Sequence, residues 1–235
     1  MNDSSASPAE RVLVWDLPVR LFHWLMVLCF AGAYLTAESE RWRLVHVTFG
    51  YTMAGLVAFR LVWGLIGTRH ARFASFVRGP AAVMRYLRGL LQGQAEHHLG
   101  HNPAGALAIM LILALTAAVT STGWANFNDV GGEWLEEVHE VLANLMLLII
   151  GVHVVGVGLS SRLHRENLVR AMITGYKSGQ PQNGIRRTWR SLALVMLVGV
   201  LTFWWQQWQH APTPGQQATM QAPSGQHHGD DDDDD

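Results

Sequence analysis

Five long apolar stretches, separated by polar and charged segments, dominate the pattern along the 235 residues. They run approximately over Val19–Ala37, Leu44–Gly67, Pro103–Ala125, Val138–Ser160 and Ser191–Trp208. Each approaches or exceeds the roughly 20 residues that an α-helix needs to cross a bilayer's hydrocarbon core. An apolar helix can also sit in a soluble core, but five of them in one chain predict transmembrane spans. No small-residue cleavage site follows the first run, which is expected to act as an uncleaved signal anchor.

The segments between the runs carry weaker patterns. Pro80 opens a stretch in which Val83, Leu87 and Leu90 recur at helical spacing, with Arg85 and Arg88 on other faces. This reads either as a short helix lying in the membrane interface or as a plain loop. The stretch from His164 to Gly175 carries the same two readings. From Ala211 the chain is rich in Pro, Gln, Gly and Ser and ends in six Asp, so a disordered acidic tail is expected. His227 and His228 could bind a metal there, although a solvated tail is the plainer reading.

Composition agrees with a membrane protein. Only 15% of residues are charged against 49% apolar, whereas soluble domains carry about 25% charge. A net charge of −1 argues against nucleic-acid binding. The single cysteine, Cys29, excludes a disulfide framework, a cysteine-ligated cluster and a covalently attached c-type haem.

Charge distribution then predicts orientation. Of the 17 basic residues, 14 flank the same ends of the five runs, namely before the first and in the second and fourth connections. The opposite ends have only Arg41 and Arg43, and Arg60 lies within a run. The basic ends are expected to face the cytoplasm. That puts the N-terminus inside and the C-terminus outside, in a multi-pass protein of a bacterial inner membrane. The outer side carries 13 carboxylates, including Asp230 to Asp235, which suits a cationic partner.

Four of the 12 histidines fall within the runs: His23, His46, His139 and His153. Ionisable groups inside a membrane are costly and usually functional. Fourteen positions separate His139 from His153. At 100° and 1.5 Å per residue the two share a helix face and stand about 21 Å apart along the axis. The alternating directions of the runs then match His23 with His153 near the inner side and His46 with His139 near the outer side. Two imidazoles on opposite faces are an axial set for haem iron. Zinc or di-iron sites would want nearby Asp, Glu or Cys, and only Glu140 is close, on another face. Two b-type haems are therefore expected. Gly50, Ala143, Gly151 and Gly156 lie near these histidines and would let a flat ring approach, although helix packing in lipid also selects small residues. Arg60 follows His46 at the same interval, so it lies on the same face at the inner depth. There it could pair with haem propionates or snorkel to the surface. Arg20, one turn before His23, could act likewise.

These residues resemble the prokaryotic cytochrome b561 family, including the b-type cytochrome subunits of nickel–iron hydrogenases. The resemblance is carried by Asp16-Leu-Pro-Val-Arg-Leu-Phe-His23-Trp, by His46-Val-Thr-Phe-Gly50 on to Arg60, and by His139-Glu-Val-Leu-Ala-Asn-Leu with Gly151-Val-His153. Gly100-His-Asn-Pro-Ala-Gly and the run from Glu166 to Gly175 add to it. It covers roughly residues 10–177. It implies an all-α integral membrane fold, a four-helix transmembrane bundle holding two haems b, with the same four histidines as ligands. The fifth, C-terminal transmembrane helix lies outside the family pattern. The expected division is an N-terminal cytoplasmic segment over 1–15, the di-haem domain over 16–180, a linker and extra helix over 181–208, and the acidic tail over 209–235.

The function expected from all this is transmembrane electron transfer between the quinone pool and an outer-face redox partner, such as a c-type cytochrome or a hydrogenase. The alternative implied by the family is a superoxide oxidase passing electrons to quinone. Attracting an anion needs outer positive charge, and Arg41 and Arg43 offer little of it. A histidine-based metal or proton transporter would want a broken helix or a polar path across the midplane, and the sequence has neither. Quinone is expected at the inner haem, near Arg20, Gly100 and His101.

Overall fold

The computed structural model describes residues 10–92 and 98–210, without the side chains of residues 90 and 91. The acidic tail, with His227 and His228, lies outside the described residues, as do His97 and the Leu90 side chain.

Among the described residues, five helices are long and apolar enough to cross a membrane. They are α1 (Leu17–Thr36), α2 (Arg43–Ile66), α5 (Pro103–Phe127), α6 (Trp134–Leu163) and α8 (Arg190–Gln209). Local chemistry sets the starts of two of them. Asp16 caps α1 by accepting the Val19 N–H at 2.9 Å, and Asn102 caps α5 by accepting the Gly105 N–H at 2.7 Å. Both caps are followed by proline in the first turn, where its missing N–H costs nothing. The spans match the five apolar runs to within a few residues.

Both intervening stretches contain helix. After the four-residue α3 (Phe73–Phe76) comes α4 (Pro80–Leu91), and α7 (Leu168–Thr174) follows α6. On α4 the exposed large apolar residues are Met84 and Leu87, while Val83 is half-buried and Tyr86 faces the bundle. Asn167 caps α7, and Gly175 ends it in the left-handed region at φ 89°. A Cβ at Gly175 would come within 2.7 Å of the Trp15 carbonyl oxygen, so conformation and space both require glycine.

An antiparallel ribbon of β1 (Glu10–Leu13) and β2 (Tyr176–Gly179) departs from the expected all-helical pattern. The Gly175 carbonyl accepts the N–H groups of Val14 and Trp15, extending this tie into α1. Lys177, buried behind the ribbon, pairs with Glu166 at 3.0 Å and donates to the His98 carbonyl at 3.2 Å. Four-residue strands carry too little alternation to announce themselves, and the pairing partner lies far along the chain.

In the bundle, α1 packs on α2 and α5 on α6, with α2 joining the pairs through α5. The fifth span, α8, lies on α1 and α2. Trp204 of α8 donates its indole N–H to Thr52 Oγ1 at 2.9 Å and packs against Phe49. Tyr34 of α1 donates to Asn144 Oδ1 of α6 at 2.9 Å. The main core gathers Phe30, Met53 and Met146 with Leu25, Cys29, Leu56 and Leu113. Phe30, Met53 and Met146 each lie seven residues inward from a span histidine, or about 10 Å along the axis. They form an apolar plug at mid-depth. Met146 is 0% exposed and lies midway between His139 and His153.

Candidate functional site

The four span histidines lie two at each end of that plug. At the acidic end, the rings of His46 and His139 stand with centroids 6.2 Å apart and planes 68° apart. His46 Nδ1 lies 2.9 Å from the Ala33 carbonyl, and His139 Nδ1 lies 3.0 Å from the Val119 carbonyl. In each case Nδ1 donates to the backbone, which leaves Nε2 with its lone pair. Metal-ligating histidines are oriented by this kind of outer hydrogen bond. Thr122 Oγ1 adds a contact to His139 Nδ1 at 3.1 Å.

A centroid separation of 6.2 Å would admit one metal ion held by a nitrogen of each ring at about 2.0–2.1 Å. Among the described residues no group of three or more His, Cys, Asp or Glu could hold a metal by itself, so the pair suits a metal whose remaining ligands arrive with it, as in a porphyrin. Glu140 is exposed and takes no part.

The glycines divide by face. At 100° per residue, Gly50 lies roughly 40° around α2 from His46. A Cβ added to Gly50 would meet nothing within 4 Å. That open space would leave room for a flat ring beside His46. Gly151 and Gly156 also have open space, but they are exposed on α6 rather than turned inward with His153. Gly123 on α5 was not singled out by its spacing, yet a Cβ there would lie 2.9 Å from His139 Cε1. Glycine therefore allows His139 its position.

At the basic end, His23 is within electrostatic range of His153, and its ring meets Trp24 edge-on at 5.0 Å. Here several buried polar atoms lack partners among the described residues: His23 Nδ1, Arg20 Nε, Arg60 Nη1 and His101 Nδ1. Arg60 does not snorkel, being only 2% exposed. Its guanidinium lies 4.8 Å from the centre of the Phe73 ring, and Phe73 reaches it because Gly64 leaves room for the ring. Arg20 donates to the Ile173 carbonyl, tying α1 to α7. These two cations with unsatisfied donors suit an anionic group such as a carboxylate.

Three further residues stand out here. Asp16, 1% exposed, accepts from Trp63 Nε1 at 3.1 Å and Thr68 Oγ1 at 2.5 Å besides capping α1. It thus locks the ends of α1 and α2 together. The Asp-Leu-Pro start is a readable cap signal, but its two distant donors are not. His101 and His70 lie in loops by sequence, yet neither is exposed. His101 is held between Trp15 and Phe76, with ring centroids at 4.5 and 4.6 Å. Burial pushes its pKa down to about 3, helped by the charges of Arg60 and Lys177. Burial also lowers the pKa of His70, whose Nε2 lies 2.9 Å from the Asn183 carbonyl. Both line a cavity of about 300 Å³ together with Arg69, Ser75, Phe76 and Gly100.

The segment that builds these sites is shared with known proteins. The family described as "Prokaryotic cytochrome b561" matches residues 14–175. The chain is similar to the "Probable Ni/Fe-hydrogenase B-type cytochrome subunit" of Rhodobacter capsulatus, with 21% identity over 71% of this chain and 81% of the relative. The protein of the same description from Azotobacter chroococcum mcd 1 is 25% identical, over 71% and 88%. The "Probable Ni/Fe-hydrogenase 1 B-type cytochrome subunit" of Escherichia coli K12 is 24% identical, over 49% and 60%. No solved structure matches the chain. The matched segment ends before α8 begins at Arg190.

Proposed function

The chain belongs to the prokaryotic cytochrome b561 family, and on that premise we propose that it carries electrons across the bacterial inner membrane through two b-type haems. The route runs between the quinone pool and a redox partner at the acidic, periplasmic face. Haem, when bound, supplies a reversible one-electron iron couple. The protein supplies ligation, orientation and electrostatics.

The observation that carries this reading is the His46–His139 pair. The two rings sit 6.2 Å apart, and each Nδ1 is already committed to a backbone carbonyl. A shared metal would use both remaining nitrogens. In this reading His23 and His153 hold the second haem at the basic, cytoplasmic end. Arg60 and Arg20 bind its propionates through the donors that are otherwise unsatisfied. The plug of Phe30, Met53 and Met146 excludes water between the sites.

Quinone binds at the basic end, where the cavity lined by Arg69, His70 and His101 lies close to Arg60 and His153. His70 and His101, kept neutral by burial, can hydrogen-bond the quinone oxygens there. At the opposite face, Arg41 lies over Trp42, and Arg43 lies over Phe127 with Glu40 3.8 Å away. That leaves an acidic surface suited to a basic c-type cytochrome. The family relatives make a hydrogenase the other partner to test.

The test is haem content and spectrum. Purified protein should hold two haems per chain and change its absorbance reversibly between air and dithionite. A protein without haem after expression in a haem-replete host, or one holding a single haem, sinks the reading.

A further inference from the structure

We propose that the shelf formed by α3 and α4 is a binding surface for the headgroups of anionic phospholipids in the leaflet at the basic end of the bundle. Residues 61–92 contain no Asp or Glu but carry Arg69, Arg72, Arg78, Arg85 and Arg88. All five arginines are exposed. Among the described residues none of them enters an ion pair, and Arg78 makes only a 3.4 Å bond to the Ser75 carbonyl.

The geometry of α4 sorts its residues into three sectors. Tyr86 is buried against the bundle, where α4 packs on α5 and Tyr86 meets His98 edge-on at 5.8 Å. At 100° per residue, Met84 and Leu87 then fall on one flank and Arg85 and Arg88 on the other. Met84 and Leu87 are exposed, as is Val77 just before the helix. A helix in water gains nothing from an exposed apolar flank, whereas one at an interface sets that flank against acyl chains and its cations among headgroups.

The position fits as well. The chain leaves α2 at Ile66 and enters α5 at Pro103, so the shelf lies at the membrane boundary between two spans. Leu65 and Ile66, at the end of α2, are exposed and continue the apolar band down to it. Basic pockets and stripes at the cytoplasmic boundary recognise anionic headgroups, with a basic residue near the surface worth about fivefold in affinity. An acidic protein would use the arginines but would leave the adjoining apolar flank uncovered. Lipid satisfies both flanks at once.

The experiment uses the full chain in nanodiscs of phosphatidylcholine with a minor fraction of phosphatidylglycerol. A fluorophore is placed at the exposed position 81 through Ala81→Cys, with Cys29→Ser to make the label unique. Spin-labelled phosphatidylglycerol and spin-labelled phosphatidylcholine are compared as quenchers at equal mole fraction. The glycerol lipid should quench about fivefold more effectively or better, and high salt should erase that preference without any variant. In the combined Arg78→Gln, Arg85→Gln, Arg88→Gln variant the ratio should fall close to one, with unchanged helicity and haem content. Equal quenching by both lipids in the wild type overturns the proposal. So does a preference that survives in the triple variant, and so does quenching by neither lipid, which would mean that protein covers α4.

Discussion

The two histidine sites are built in opposite ways. At the acidic end the partners of each ring are already present, with Nδ1 of His46 and His139 on backbone carbonyls and the rings 6.2 Å apart. At the basic end the helices converge on polar atoms without a partner among the described residues, one each on Arg20, His23, Arg60 and His101. Each such buried atom costs on the order of 1–3 kcal/mol unless a partner is supplied. On the proposed reading, the acidic-end pair is held ready by its backbone partners, whereas the basic-end cluster offers donors that a bound group would satisfy. A ligand carrying acidic groups at one edge would be oriented with that edge toward Arg60.

The largest effect that would break this comparison concerns ligand pairing. His23→Ala and His153→Ala should each halve the haem per chain and remove the same spectral component. His46→Ala and His139→Ala should each remove the other component. A His23→Ala variant that loses the component lost in His46→Ala breaks the depth matching.

The next effect is pH. Burial depresses the pKa of His101 to about 3, and His70 shifts the same way. The sign follows from linkage. Below about 6.5 the unfolded chain takes up a proton that folded His101 refuses. Stability is therefore complete above that pH and declines as pH falls from about 6.5 toward 3, by up to about 1.4 kcal/mol per unit. His101→Gln should flatten this part of the thermal-stability profile in detergent. An unchanged slope would show that His101 is not buried in its neutral form.

Arg60→Gln should have a smaller effect. Loss of a buried cation should lower the midpoint potential of the basic-end haem by roughly 30–60 mV, since 59 mV is one tenfold change for a single electron. The acidic-end haem should not move. Arg20→Gln should shift the basic-end haem less, because Arg20 is partly solvated. Equal shifts of both haems would remove Arg60 from the basic-end site.

The smallest effect lies in the acidic tail. Deleting residues 225–235 should slow reduction of a basic cytochrome at low salt, and less so at physiological salt, where the Debye length is about 8 Å. Both haem spectra should stay the same. Stopped-flow rates that match the wild type at every salt concentration would leave the tail without a steering role.

The histidines were legible because the helix period is fixed. Fourteen residues nearly complete four turns, so His139 and His153 had to share a face. The direction of each span then decided depth. Arg60 was legible as a position but not as a state: its spacing allowed snorkelling, and burial under Phe73 decided otherwise. Gly123 and the distant partners of Asp16 could not be read in this way, because they depend on what packs from far along the chain, and His101 was legible as a loop residue near the expected quinone position but not as a buried one. The β1–β2 ribbon was hidden for the same reason, since its two strands flank the family segment at opposite ends.

By itself, then, the sequence determined the five spans, the charge asymmetry between the two ends and the angular placement of four histidines. Those properties are local, set by residue type and a constant rise and twist. The tertiary structure decided which groups are dry and which are satisfied. It closed His46 onto His139 and gave each a carbonyl. It left the donors around Arg60 open, and it docked α8 through Trp204 onto Thr52. Burial and hydrogen-bond partnership are relations between segments far apart in the chain, and only packing brings those segments together.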